Sequence, residues 1–150
     1  YYEENEWCYF EVTILESGSN AIVGIGFVPE AFDVTSNLPG WTKHSIGYHG
    51  DDGIVYRESC PGRLWAETYG VGDVIGAGIN WKDEYFYFTK NGVFLGSASS
   101  AHLGRILYPA VGFGGSGKVR INFGAKNTPF QFNFHARKWH EHPALTQQPR

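Results

Sequence analysis

The stretch EYFYFTKNGVFLGSAS, Glu84 to Ser99, narrows the folds open to this chain more than any other segment. Phe86 and Phe88 alternate with Tyr85, Tyr87 and Thr89, the period of two that sends successive side chains to opposite faces of a strand. Asn91-Gly92 supplies the positive φ angles of a type I′ turn, and Val93 to Gly96 returns. The segment predicts a β-hairpin. The same period governs WCYFEVTIL, where Cys8, Phe10, Val12 and Ile14 share one face and Trp7, Tyr9, Glu11 and Thr13 the other, predicting a half-buried strand.

Other strands follow at short spacing. In AIVGIGFV, Gly24 and Gly26 leave one face bare, so something packs closely there. HSIGYHG and IVYR are short, and DVIGAGINW reads as a central strand. LYPAVGFG and KVRINFG are joined by the tight link GGSG, Gly114 to Gly117. About nine strands, no amphipathic helix and no internal repeat predict an all-β fold, an antiparallel β-sandwich or barrel. Composition agrees: aromatics make up 17% of the 150 residues, with 20 glycines and no methionine, which points away from a helical bundle. The length suits one domain, taken as residues 1–134. The polar, Pro-punctuated tail 135–150 is expected to be partly disordered or to hold a short helical turn.

Several function classes are excluded. The net charge of −3, without a Lys/Arg run, argues against nucleic acid as the main ligand. No apolar run approaches the roughly 18 residues of a membrane span. The chain opens on Tyr1 and reads as a fragment with upstream targeting information missing. Cys8 and Cys60 are expected as free thiols, and the charge pattern calls for no more than a monomer. His140 and His142, with His135 and Glu141, read as a solvated tail rather than a metal site. His44 and His49 fall on opposite faces of a strand start, which argues against shared ligation. Asp51-Asp52-Gly53 is first of all a turn. No nucleophile elbow or phosphate-binding loop is present, and GFGGSGK is a glycine link between strands. No catalytic residue, metal or cofactor is therefore expected. Loop aromatics remain. Trp41, Tyr48, Trp65 and Tyr69 lie in or beside two long connections, suited either to anchoring a protein partner or to plugging the end of the core.

Seven segments together resemble the SPRY domain: YFEVTIL, VGIGF, LPGWTKHSIGYHGDDG, GDVIGAGINW, FYFTKNGVFLGSA, LYPAVGF and INFG. The resemblance runs from about Trp7 to Phe134, and PGWTKHSIGYHGDDG is most similar to the RanBPM subgroup. It implies a bent antiparallel β-sandwich of two sheets, with long connecting loops at one end. It also implies no catalytic activity, no cofactor and a loop surface that holds a segment or face of a partner protein. RanBPM-type proteins place this domain before LisH and CTLH helical regions in a ubiquitin-ligase scaffold, where it would recognise a ligase substrate. The subgroup also resembles SPRY effectors that plant-parasitic cyst nematodes secrete into host cells, where partners include immune receptors. That setting implies delivery by secretion and action in the host cytoplasm or nucleus. YRESCPGRLWAETYG departs from the subgroup, so Arg57, Cys60, Arg63 and Trp65 lie outside the motif, which favours the effector setting. SPRY domains that bind Asn-rich peptides carry a Trp where this chain has GGSG. The expected contacts are Leu38, Pro39, Trp41, Arg63, Trp65 and Tyr69, with Gly114 and Ser116 admitting partner backbone. GYHGDDG is expected to be framework and NLPGW rim. The rival readings are a carbohydrate-binding sandwich using Asp51, Asp52 or Glu67, and a domain that only spaces others.

Overall fold

A computed structural model describes residues 2–3, 6–18, 22–57, 64–104, 106–133 and 144–145. Its strands are β1 (Tyr2–Glu3), β2 (Trp7–Ser17), β3 (Val23–Val28), β4 (Ile46–His49), β5 (Ile54–Tyr56), β6 (Leu64–Trp65), β7 (Val74–Asn80), β8 (Tyr85–Lys90), β9 (Val93–Ser99), β10 (Tyr108–Phe113) and β11 (Gly117–Asn122). Beyond the nine expected, β1 and β6 are added, each two residues long and too short to show a period. No helix occurs among the described residues.

The strands form two antiparallel sheets. One has the order β1-β2-β7-β8-β9, with β11 also paired to β2, and the other has the order β10-β3-β4-β5-β6. The expected hairpin is β8–β9, and Asn91 and Gly92 have φ of 51° and 82°, as its turn requires. Asp73 to Trp81 supplies β7, which is central as expected, between β2 and β8.

The core between the sheets takes Phe10, Val12 and Ile14 from β2, Ile25 and Phe27 from β3, and Ile75 and Ile79 from β7. Cys8 lies there as a free, buried thiol, and burial raises its pKa; Cys60 is outside the described residues. The other face of β2 is not open to water, contrary to the half-buried reading. Tyr9 is fully buried and Glu11 nearly so. A second cluster of Tyr9, Tyr87, Phe94 and Phe132 covers that face, with Tyr9 and Tyr87 stacked at 5.9 Å. Gly76 and Gly78 of β7 make room for it. A Cβ would lie 2.0 Å from the Tyr9 hydroxyl at Gly76 and 2.1 Å from the Tyr87 ring at Gly78. Alternation in VIGAGIN thus turns Ile75, Ala77 and Ile79 inward and leaves a glycine floor outside for two tyrosines.

Glu11 closes this outer layer. Its carboxylate accepts Gln131 N–H at 2.8 Å, Phe132 N–H at 3.0 Å and the Tyr9 hydroxyl at 2.8 Å. Within the tail expected to be polar, Leu145 is buried and donates its N–H to the Ser97 carbonyl at 2.9 Å. A Cβ at Gly96 would lie 2.9 Å from its side chain, so the core draws on a residue past 134.

Candidate functional site

The outer face of the second sheet carries another glycine floor, and the connection from β3 to β4 lies on it. A Cβ at Gly47 would stand 2.0 Å from the Pro39 carbonyl oxygen, and one at Gly112 would stand 2.7 Å from the Leu38 side chain. The close approach expected over Gly24 and Gly26 is also present. The His49 ring lies 3.0 Å from a Cβ built on Gly24, and the Ile46 carbonyl 1.9 Å from one on Gly26.

The loop is fixed by its own polar groups. Ser45 Oγ accepts Gly40 N–H at 2.9 Å and donates to the Thr42 carbonyl at 2.8 Å. Gly40 has φ of +94°, and its Cβ would strike the Tyr56 carbonyl at 2.6 Å, so only glycine fits. Earlier in the loop, Asp33 accepts Thr35 N–H and Oγ–H and the Ser36 hydroxyl. The hydrogen bonds from Ser36 and Thr35 hold its carboxyl down to about 2.

Trp41 projects from this braced loop with 45% of its surface exposed. Its ring lies 5.3 Å from His49 and meets Tyr56 edge-on at 6.2 Å; His49 and Tyr56 are 4.5 Å apart. Tyr56 donates to Asp52 Oδ2 at 2.5 Å, and Asp52 Oδ1 accepts Ile54 N–H at 2.9 Å. The Asp-Asp-Gly turn is therefore held by carboxylate hydrogen bonds, as expected of framework. The Pro39 carbonyl can only accept, so the His49 nitrogen 2.8 Å from it, Nε2, carries the proton.

Burial holds the His49 pKa below its ordinary 6.5, against smaller upward pulls from the Pro39 carbonyl, Asp52 and Asp51. Folding therefore favours the neutral ring. Its contribution is complete above about 6.5 and is lost as pH falls through the lower folded value. Urea titrations at pH 7.5 and 5 should show a loss of stability at the lower pH that His49→Gln reduces. An unchanged pH dependence in that variant would remove His49 as a cause.

A groove of about 570 Å³ runs between the same loop and β10, the edge strand of its sheet. Val28, Pro29, Phe32, Val34 and Tyr108 give it apolar walls, and Glu30 is its one charged lining residue among those described. Val34 is 81% exposed, and Tyr108 is half exposed. The exposed tryptophan and the apolar-walled groove are both features of surfaces that bind polypeptide.

The sequence-predicted contacts separate here. Leu38 and Pro39 are buried and form the underside of the loop, where the glycine floor draws them in, and Pro39 also lines the groove. Trp41 is at the surface. Trp65 is half-buried in β6 opposite Ile54, and Arg63 lies outside the described residues. Tyr69 is a core residue: its hydroxyl lies 2.8 Å from the Val23 carbonyl and 2.7 Å from the Tyr48 carbonyl, leaving its side chain no surface role. Tyr48 is likewise buried, and its hydroxyl donates to the Glu67 carbonyl. Gly114 and Ser116 are exposed in the link from β10 to β11, tied through backbone to Ile22 and Gly18. Sequence reasoning missed Tyr56, Phe32, Val34 and Tyr108. An apolar Val34 in the polar run DVTSN was the one available signal. Among the described residues no group of three or more His, Cys, Asp or Glu is placed to hold a metal; His135, His140 and His142 lie outside them.

Comparison with known proteins gives one consistent result. Residues 7–126 match the SPRY domain family. The chain is 44% identical over 126 residues to a Ran-binding proteins 9/10 homolog of Drosophila melanogaster, covering 83% of this chain and 13% of that protein. It is 40% identical over 132 residues to human Ran-binding protein 9, covering 87% of this chain and 18% of that protein. The chain thus spans less than a quarter of the length of these relatives. A crystal structure of a human SPRY domain superposes with a TM-score of 0.68 at 34% identity, over 79% of this chain and 78% of the other. The SPRY domain of human HERC1, at 20% identity and a TM-score of 0.66, shares the fold over 79% of this chain and 75% of its own.

Proposed function

The chain belongs to the SPRY domain family, and from that premise we propose that it binds a partner protein through the face built from Trp41, Tyr56 and the groove beside β10. One observation carries the reading: a tryptophan nearly half exposed, braced by two rings, in a loop whose Leu38 and Pro39 rest on a glycine floor. A preformed aromatic anchor loses little freedom on binding, which is why such residues concentrate interface energy.

Two settings share this face. A RanBPM-like secreted effector acting on host proteins, immune receptors among them, is supported by the departure of residues 56–70 from the subgroup pattern. Substrate recognition in a RanBPM-type ubiquitin-ligase scaffold is supported by the identity to Ran-binding proteins 9 and 10.

Affinity capture from plant and animal lysates, with wild type beside Trp41→Ala and Trp65→Ala, tests the face and separates the settings. Once a retained protein is identified, Trp41→Ala should weaken its Kd by roughly thirtyfold, the equivalent of about 2 kcal/mol. Melting curves must show both variants folded. Equal Kd values for wild type and Trp41→Ala would move the site away from this face. Loss with Trp65→Ala alone would place it at β6.

A further inference from the structure

Arg57 follows β5 and turns into the protein, about nine-tenths buried, and its Nε has no hydrogen-bond partner among the described residues. Nε2 of the half-buried His102 is likewise buried without a partner among them. His102 sits in the turn after β9 that Leu103 N–H closes onto the Ser100 carbonyl at 2.9 Å. His102 lies within electrostatic reach of both Arg57 and His44. Burial first, then the charges of Arg57 and His44, hold His102 below the ordinary imidazole range, and no carboxylate among the described residues enters that balance. His44 is presented by a left-handed backbone, φ 61°, in the turn closed by Ser45.

Buried polar groups in folded proteins are almost always paired. A guanidinium is charged at every accessible pH, and its planar fork matches an oxyanion. A sealed guanidinium nitrogen, a sealed imidazole nitrogen and a third basic side chain have the composition of an anion receptor. We propose that Arg57, His102 and His44 form a binding site for a phosphate-type oxyanion, with Arg57 and His102 as the donors. The site is separate in its chemistry from the apolar docking face, and it stands or falls independently of that face. An anion seated there favours the imidazolium, so binding would draw the His102 titration upward.

Sulfate remains a dianion across the range in which histidine titrates, which makes it the clean probe. Residue-specific NMR should show the His102 pKa rising by about one unit in sulfate relative to chloride at matched ionic strength. Calorimetric titration with sulfate and with inorganic phosphate should give binding that weakens at least tenfold in Arg57→Met and about fivefold in His102→Gln. His102 lies in a surface turn, so its variant keeps the test alive should Arg57→Met fold poorly. Glu58→Gln should bind as wild type does. A phosphoserine peptide that binds more tightly than inorganic phosphate assigns the ligand to a modified polypeptide, and equal affinity assigns it to the free ion. No difference between sulfate and chloride in wild type, or binding that survives both substitutions, overturns the site. Binding that appears only in Glu58→Gln overturns it too, because the chain's own carboxylate would then be the occupant.

Discussion

Glu11→Ala is expected to remove about 4 kcal/mol of folding stability and to lower the melting temperature by about 8–16 °C. The carboxylate is 3% exposed and serves three donors: Gln131 N–H, Phe132 N–H and the Tyr9 hydroxyl. Hydrogen bonds to a charged acceptor are worth about 1.5–3 kcal/mol each, and alanine takes that acceptor from both backbone donors and from the Tyr9 hydroxyl, which keeps Thr89 Oγ1 at 2.8 Å. The loss spreads, because Phe132 and Phe130 pack on Tyr9, with ring centroids 5.8 and 4.9 Å from it. Glu11→Gln keeps the shape and one carbonyl oxygen but puts an amide NH₂ beside backbone donors, so an intermediate loss of about 2 kcal/mol is expected. Tyr9→Phe should be mildest, since the carboxylate would still hold both backbone groups. Thermal and urea melts of the three variants give the order directly. Glu11→Ala melting within about 2 °C of wild type would show that residues 130–132 are held by ring packing alone.

Gly47→Ala is expected to cost about 3 kcal/mol or more, and to abolish partner binding even at temperatures where the variant stays folded. Its Cβ would fall 2.0 Å from the Pro39 carbonyl oxygen and 2.5 Å from the carbonyl carbon. Both are backbone atoms, so no side-chain rotation relieves the clash and the loop must lift from the sheet. Lifting breaks the bond from His49 Nε2 to Pro39 and removes the brace under Trp41. Gly104→Ala is the control: nothing lies within 4 Å of the added carbon, and a change within about 0.5 kcal/mol is expected. Urea denaturation compares the two, and binding of Gly47→Ala is read against Trp41→Ala. Equal stability of the two glycine variants would mean that the loop already stands off the sheet in solution.

The difference between what alternation reveals and what it hides is plain in β2. Cys8, Phe10, Val12 and Ile14 were assignable to the core because their spacing alone places them on one face. The burial of Tyr9 and Glu11 on the other face was not legible, because the segment that covers them arrives 120 residues later and is no strand. Glycines were half legible. Gly24 and Gly26 announced a close approach, yet nothing local says that a histidine ring and an isoleucine carbonyl fill the space. Trp41 was picked out by residue type and is exposed, while Tyr69 and Leu38, picked out for the same reason, are buried. A tyrosine in a connection can equally be a core residue, and only the two carbonyls within reach of the Tyr69 hydroxyl decide it. The groove was invisible because Phe32, Val34 and Tyr108 come together only when β10 pairs beside β3.

The long strand β2 shares one edge between β1, opposite Trp7 and Cys8, and β11, opposite Glu11 to Ser17, while β7 takes the other edge. The first long strand of this domain is thus among the last to be completed. At about 5–20 residues per second, a ribosome takes about 6–24 s to travel from Glu11 to Gln131, and through that interval β2 is an apolar ribbon with an open flank. Such non-local pairing belongs to folding on the millisecond-to-second scale rather than the microsecond scale. The period of greatest aggregation hazard therefore falls during synthesis and ends when the last strand and the 130–132 segment reach their partner. Slower translation lengthens that exposure, and a chain stopped short of residue 117 never leaves it.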